Sequence, residues 1–375
     1  PRLGNLAMTT EINGVGFNEE QLKAEINSTI PFIQLNGYTY TNITALGIVD
    51  GKTYDGRLKV TDPNLRLDFS GLVDLSTEVP DFDFHAGVDR INLTALNLVQ
   101  RDSALIVSTE INSKFTGKTV DQVEGQIEMA QTSVLYGTQR YRMEDLLFEA
   151  VGEPEAKSIH LYSDMLDANI SGAFRLASLP DAISKVLNSF LPSYTALKVD
   201  EAQDFNQNFR YSVKIKDIEL LSDLFFPTIK VGTGTTISGD FASMSNTLNM
   251  DVEAGKLLVS GVRFEHFSTH AHAENKHLKL QAGAQHMFIT DSVQVNFVQV
   301  NSDAITDSLD LNFIWASRKS LDAPDARLNA RASFAGSKIN LKLLPSLILI
   351  EDTLWQVNEE NSIVIDTGLV QFNNL

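Results

Sequence analysis

Five of the seven histidines fall in one stretch, at His266, His270, His272, His277 and His286. His270 and His272 stand two apart, which puts both rings on one face of a strand, and Glu274 follows. Imidazoles paired in this way are candidate ligands for zinc or copper. Neither an HExxH helix nor a cysteine supports a metal centre, and the other histidines do not share the register of this pair. Solvent-facing polar positions are the plainer reading.

The remaining chemistry is sparse. Gly232-Thr233-Gly234 lacks the lysine of a phosphate-cradling loop, and no GxSxG elbow occurs. Carboxylates are abundant, but on alternating strand positions they read as a solvated face. Sequons at Asn27, Asn42, Asn92 and Asn169 are what an Asn- and Thr-rich chain produces by chance. Trp315 and Trp355 have apolar neighbours and read as packing anchors. The expectation is a protein without enzymatic activity and without a cofactor.

Composition narrows the partners. The chain of 375 residues carries 48 acidic against 30 basic residues, a net charge of -18. Nucleic-acid binding draws on Lys and Arg against phosphates, so no nucleic-acid partner is expected. Docking on an anionic lipid surface is disfavoured for the same reason. Cysteine is absent, which fits an oxidising compartment. The longest apolar run, Leu343 to Ile350, is interrupted by Pro345 and is far short of the roughly 20 residues of a spanning helix. Pro1 opens no signal peptide, and strand-like text is under way at Leu6 and still running at Phe372. The chain therefore reads as a section of a longer protein.

The elements that must position these residues announce themselves by period two. Leu65, Leu67, Phe69, Gly71, Val73 and Leu75 alternate with Arg66, Asp68, Ser70, Leu72 and Asp74. Phe82, Phe84, Ala86 and Val88 alternate with Asp83, His85, Gly87 and Asp89. Leu161 to Leu176, Phe209 to Ile215 and Val293 to Phe297 behave alike. Leu35-Asn36-Gly37, Asp50-Gly51, Asp55-Gly56 and Asp62-Pro63-Asn64 carry turn chemistry. An apolar residue, a small residue and glycine recur at Phe69-Ser70-Gly71, Phe115-Thr116-Gly117, Ile170-Ser171-Gly172, Ile237-Ser238-Gly239, Val259-Ser260-Gly261 and Phe334-Ala335-Gly336. Glycine inside a strand marks a bend. The irregular spacing argues against a strict solenoid.

Two amphipathic helices of about three turns interrupt the strands. The first starts at a Ser178 cap with Pro180 in its first turn, and places Leu179, Ile183, Val186, Leu187 and Phe190 on one face. The second follows Asp217, carries Ile218, Leu221, Leu224 and Phe225, and stops at Pro227. Both are expected to pack their apolar faces on the sheet. The polar stretch from Tyr194 to Asn206 divides the chain into a first β-groove section, 1-194, and a second, 195-375, continuous with it.

Several segments together resemble the large TamB-like proteins of Bacteroidetes, in the AsmA superfamily. These are Asn36-Gly37-Tyr38-Thr39-Tyr40-Thr41-Asn42-Ile43, Asp62-Pro63-Asn64-Leu65 through Asp74, Asp89 through Leu98, and Leu161 through Ala168 with Gly172 and Phe174. Pro345-Ser346-Leu347-Ile348 with Trp355 and Asn358 resembles a later part. The resemblance implies a mainly β fold: a long, curled antiparallel β-groove, β-taco-like and open along one side, with an apolar interior. Its lining would include Leu65, Leu67, Phe69, Val73, Leu75, Phe82, Phe84 and Val88, joined by Leu166, Ile170 and Phe174. The implied cargo is phospholipid acyl chains, carried between inner and outer membranes during outer-membrane biogenesis. The implied setting is the periplasm of a Gram-negative cell, with an inner-membrane anchor outside this chain. The implied protein partner is an outer-membrane assembly β-barrel of the Omp85 type. The alternative is a scaffold for β-barrel assembly and protein translocation that works by strand addition. An extracellular β-solenoid is a third reading.

Overall fold

The computed structural model describes residues 3–16, 18, 22–193, 206–274, 276–290, 292–316, 325–350, 353–357, 360–366 and 369–374. These are mainly β, with 24 strands and two α-helices, in an open antiparallel sheet that does not close into a barrel. The chain divides into two compact units, Pro1–Glu153 with Ser158–Met165, and Pro154–Lys157 with Leu166–Leu375. The division expected after residue 194 falls on residues 194–205, outside the described residues.

The first unit is a meander. Its strands are β1 (Leu3–Val15), β2 (Lys23–Leu35), β3 (Tyr38–Asp50), β4 (Thr53–Asp62) and β5 (Leu65–Asp74). They continue as β6 (Asp81–Asn92), β7 (Leu105–Thr116), β8 (Glu124–Tyr136), β9 (Gln139–Val151) and β10 (Lys157–Ser163). Each pairs antiparallel with the next. The tightest hairpins follow from turn chemistry. Asn36 and Gly37 adopt φ of 49° and 81° between paired Leu35 and Tyr38, the left-handed geometry a two-residue hairpin needs.

Asp55-Gly56 is a correction: it lies inside β4, not in a turn. Gly56 faces Gly47 of β3 and Gly71 of β5 in register. A Cβ at Gly56 would stand 2.3 Å from the Leu46 carbonyl oxygen, so this line of contact admits only glycine. The Tyr54 hydroxyl spans the gap, donating to the carbonyls of Leu46 (3.2 Å) and Arg57 (2.9 Å). The small-residue–Gly repeat thus has two structural meanings. Gly71, Gly172 and Gly239 sit inside strands, whereas Gly261 and Gly336 sit in hairpin turns.

The second unit opens with β11 (Leu166–Ala173), a 3-10 turn (Leu176–Ser178), α1 (Leu179–Phe190) and β12 (Asn208–Ile215). Next come α2 (Glu219–Phe225), β13 (Ile229–Val231), β14 (Thr236–Ala242), β15 (Thr247–Val259) and β16 (Val262–Glu274). The unit continues with β17 (His277–Thr290), β18 (Val293–Ile305), β19 (Ser308–Trp315), β20 (Ala326–Ala335) and β21 (Lys338–Ile350). Short strands β22 (Thr353–Trp355), β23 (Ser362–Asp366) and β24 (Leu369–Asn373) follow. β12 pairs with β14, while α2 and β13 form an excursion whose β13 pairs with the end of β15.

The ladder of β15 to β18 is interrupted where Gly255 stands opposite His266 and Gln285 opposite Phe297. His266 and Phe297 adopt φ of 53° and 46° there. Phe264 and Phe267, three apart on β16, still share a face, with ring centroids 5.9 Å apart. The pairing keeps the same register on both sides, so no strand gains an extra residue and the alternation advances by one across the ladder together.

α2 departs from expectation. It is 7 residues long, shorter than the three turns its pattern suggests, and Phe225 is 57% exposed. The intervening Pro227 and the brief β13 leave it too little length to lay a full apolar face on the sheet.

Candidate functional site: an apolar sheet face

Period two in the sequence becomes two chemically distinct faces once register is fixed. In the first unit Val73 pairs with Phe82 and Phe82 with Phe115, Gly71 pairs with Phe84, Phe69 with Ala86, and Leu67 with Val88. These residues share one face. The rings of Phe69 and Phe84 lie 5.2 Å apart, and those of Phe82 and Phe115 are stacked at 4.8 Å. Leu65 pairs with Ile91 on the same side. Leu75 lies just past β5 and is half exposed.

The opposite face is charged. Lys114 Nζ lies 3.1 Å from Asp83, and His85 lies 3.3 Å from Glu110 and 2.9 Å from Asn112. Such exposed pairs contribute little stability; they keep the outer face wet.

The apolar face of the first unit is not sealed. Leu65, Leu67, Phe69, Val73, Phe82, Phe84 and Val88 are all partly exposed, and the buried residues among their row partners are the smaller or polar Val60, Asp62, Ala86, Thr109 and Ser113. The chain exposes 22389 Å² in all. A compact globule of this 41.4 kDa mass exposes about 14,800 Å², and two separate half-size globules about 17,800 Å². The excess means that much of the sheet's surface lacks a second layer.

One turn of this unit is held by a buried acid. Asp62, 1% exposed, accepts from the Tyr38 hydroxyl (2.6 Å), the Thr41 amide (3.0 Å) and hydroxyl (2.9 Å), and the Asn64 amide (2.8 Å). Burial pushes the carboxyl up, but these hydrogen bonds outweigh it and hold it below the usual carboxylate range.

The second unit builds its apolar face differently. In the row nearest the β14–β15, β16–β17 and β18–β19 turns, Leu248 pairs with Ala273, Ala273 with Leu278, Leu278 with Ala304, and Ala304 with Leu309. Ala271 and Leu280, then Leu311 and Ala330, repeat the alternation one row in. Ala273, Ala304 and Ala332 are buried. Of the residues expected to line a groove here, Leu166 and Ile170 are partly exposed, but Phe174 is fully buried. Phe174 packs edge-on against Phe209, itself against Phe241, and is a floor residue instead of an accessible wall.

α1 is buried along one side as well. Its Val186 and Phe190 are 1% and 0% exposed. Gln207, fully buried, accepts from the Arg175 amide (3.0 Å) and donates to the Arg175 carbonyl (3.3 Å) and the Ser178 hydroxyl (2.9 Å). Its amide donates to Ser243 Oγ in the β14–β15 turn (3.0 Å). At the other end the Asp307 amide donates to the Phe190 carbonyl (3.1 Å). Ser193 donates to the Asp307 carboxylate through its amide (2.6 Å) and hydroxyl (2.8 Å), and Gly336 donates to the Ser193 carbonyl (3.0 Å). Neither Gln207 nor Asp307 stands out in the sequence. Their partners are distant along the chain, and no local pattern marks them.

The histidines are dispersed over the charged face. His270 Nδ1 lies 2.6 Å from Asp251, His272 Nδ1 2.5 Å from Asn249, His277 Nδ1 3.0 Å from Asp303, and His286 Nδ1 2.8 Å from Asn296. Among the described residues no three metal-ligating side chains converge. His270 and His272 border a shallow concavity of about 750 Å³ with Gln281, Asn301, Asn312 and Asn329. Its amides bond one another across strands, Asn301 to Asn312 (3.2 Å) and Asn312 to Asn329 (2.7 Å), which spends their donors laterally.

No family model, curated protein or solved structure matches this chain.

Proposed function

We propose that the chain is a non-catalytic hydrophobic groove that shelters the acyl chains of a phospholipid. The reading rests on one observation: an extended apolar sheet face whose large side chains, Phe69, Phe82 and Phe84 among them, stay partly exposed with a charged face behind them. Covering about 300 Å² of such surface contributes roughly 7 to 8 kcal/mol, the scale of a micromolar Kd before ordering costs. Hydrophobic shielding is then sufficient, and no catalytic group is required. In the setting that the TamB-like pattern suggests, the groove works in the periplasm between the two membranes, in outer-membrane biogenesis. There an outer-membrane assembly β-barrel of the Omp85 type is the proposed partner. Among the described residues no helix is long and apolar enough to cross a membrane.

The test is native mass spectrometry with lipid extraction on protein purified from a Gram-negative host. Co-purified phospholipid that is lost in Phe69→Asp or Phe84→Asp, with the fold intact by circular dichroism, is the expected result. A folded native protein carrying no lipid would sink the proposal.

One observation favours the scaffold reading as the alternative. β1 carries a single charge, Glu11, and no proline, and its Leu6, Met8 and Ile12 are exposed. Such a strand is poorly protected against addition of another. Capture of an extended β-barrel segment in hydrogen exchange, protecting β1 amides, would move this reading ahead.

A further inference from the structure

α1 is fixed at two places that are far apart along the sheet. Its start is tied through Gln207 to the β14–β15 turn, and its end through Asp307 and Gly336 to the β18–β19 and β20–β21 turns. Strands β15 to β18 lie between these anchor points. Four strands at about 4.8 Å span about 19 Å, and the 12 residues of α1 rise about 18 Å. The helix is therefore the right length to lie straight across the strand ends. Val186 and Phe190 of the helix are buried, as are Ala273 and Ala304 of the outermost row.

We infer that α1 is the end wall of the second unit's apolar face, making it a blind slot that takes the tail of an amphiphile up to a limiting length, with Asp307 and Ser193 as the latch that holds the wall shut. This rests on the groove reading above. The two joints differ in kind. Gln207 is fully buried and bonded on three sides, as a hinge requires, whereas Asp307 and Ser193 are partly exposed and are joined by two bonds to the Asp307 carboxylate and two backbone bonds. The latch end is the one that opens. An apolar tail entering from the open part of the face meets the helix, and methylenes beyond that point find no apolar surface to cover.

The test uses the full chain and a series of saturated lysophosphatidylcholines of increasing tail length, with affinity read by displacement of a fluorescent fatty acid. In the native protein, affinity should rise about fourfold per added methylene and then level off at one tail length. In Asp307→Ala the plateau should move to longer tails or vanish. Ser193→Ala, which keeps the amide bond to Asp307, should move it less. Asp307→Asn guards against misfolding of the alanine variant, and circular dichroism verifies that each variant retains its strands. The same length dependence in native and latch variants overturns the inference and leaves the groove standing. Failure of the native chain and all variants to bind any tail removes the groove reading and the end wall with it.

Discussion

The first unit leaves Phe69, Phe82 and Phe84 partly exposed, and the second buries Phe174, Phe209 and Phe241. Both begin from the same alternation of apolar and polar residues. The difference lies in side-chain size. In the first unit phenylalanines meet across strands and pack on each other. In the second, leucine alternates with alanine from strand to strand, and α1 buries its own Val186 and Phe190. Alternation decides which face is apolar, while residue volume decides whether that face is covered.

That comparison can be broken most directly at its two extremes. Phe174→Ala should destabilise the second unit by about 3 to 5 kcal/mol, the range for emptying a full aromatic site in a closed core. Phe84→Ala should cost only about 1 to 2 kcal/mol, because a partly exposed ring forfeits less transfer energy and leaves no sealed cavity. Denaturant titration of both variants checks the contrast; equal losses would mean the first unit's face is covered after all.

Asp62→Ala should cost about 2 to 3 kcal/mol by removing the buried acceptor of the Tyr38, Thr41 and Asn64 donors. The same carboxylate sets a pH dependence. Its folded value lies below its unfolded value near 3.9, so its contribution is fully present above about pH 4 and is lost as pH falls through the lower folded value. Acid titration of native protein against Asp62→Asn should show the native advantage disappear only below that point.

Gly71→Ala should follow at about 1 to 2 kcal/mol, since φ is 144° and a Cβ would stand 2.3 Å from the Asp83 carbonyl oxygen. Melting temperature reports it, and an unchanged value would mean the strands can part there freely. The smallest effect belongs to the charged face: His270→Ala should change stability by no more than about 0.5 kcal/mol. A loss of several kcal/mol would show that the polar face carries structural weight its exposure does not suggest.

Much of the architecture was legible in the residues. The alternation from Leu65 to Leu75 and from Phe82 to Val88 fixed both the strands and their common face, because a period of two leaves no other regular conformation. Asn36-Gly37 marked its hairpin through left-handed backbone angles, and Ser178 with Pro180 located the start of α1. Asp55-Gly56 misled for an identifiable reason. Glycine serves both positive φ and close backbone approach, and only the position of Gly47 and Gly71 on the neighbouring strands reveals which. The histidines likewise cluster in sequence, yet antiparallel pairing spreads them among separate partners on adjacent strands.

The sequence by itself determined the alternating strands and their apolar side, most of their turns and the amphipathic face of α1, since all of these depend on neighbours a few residues apart. Only the tertiary structure decided where α1 lies, that Gln207 and Asp307 fasten it, and that Phe174 is closed off while Phe84 is not. Those outcomes depend on residues brought together over separations such as that between Ser193 and Asp307. Burial is a property of what lands on top of a residue, and local periodicity carries no record of that.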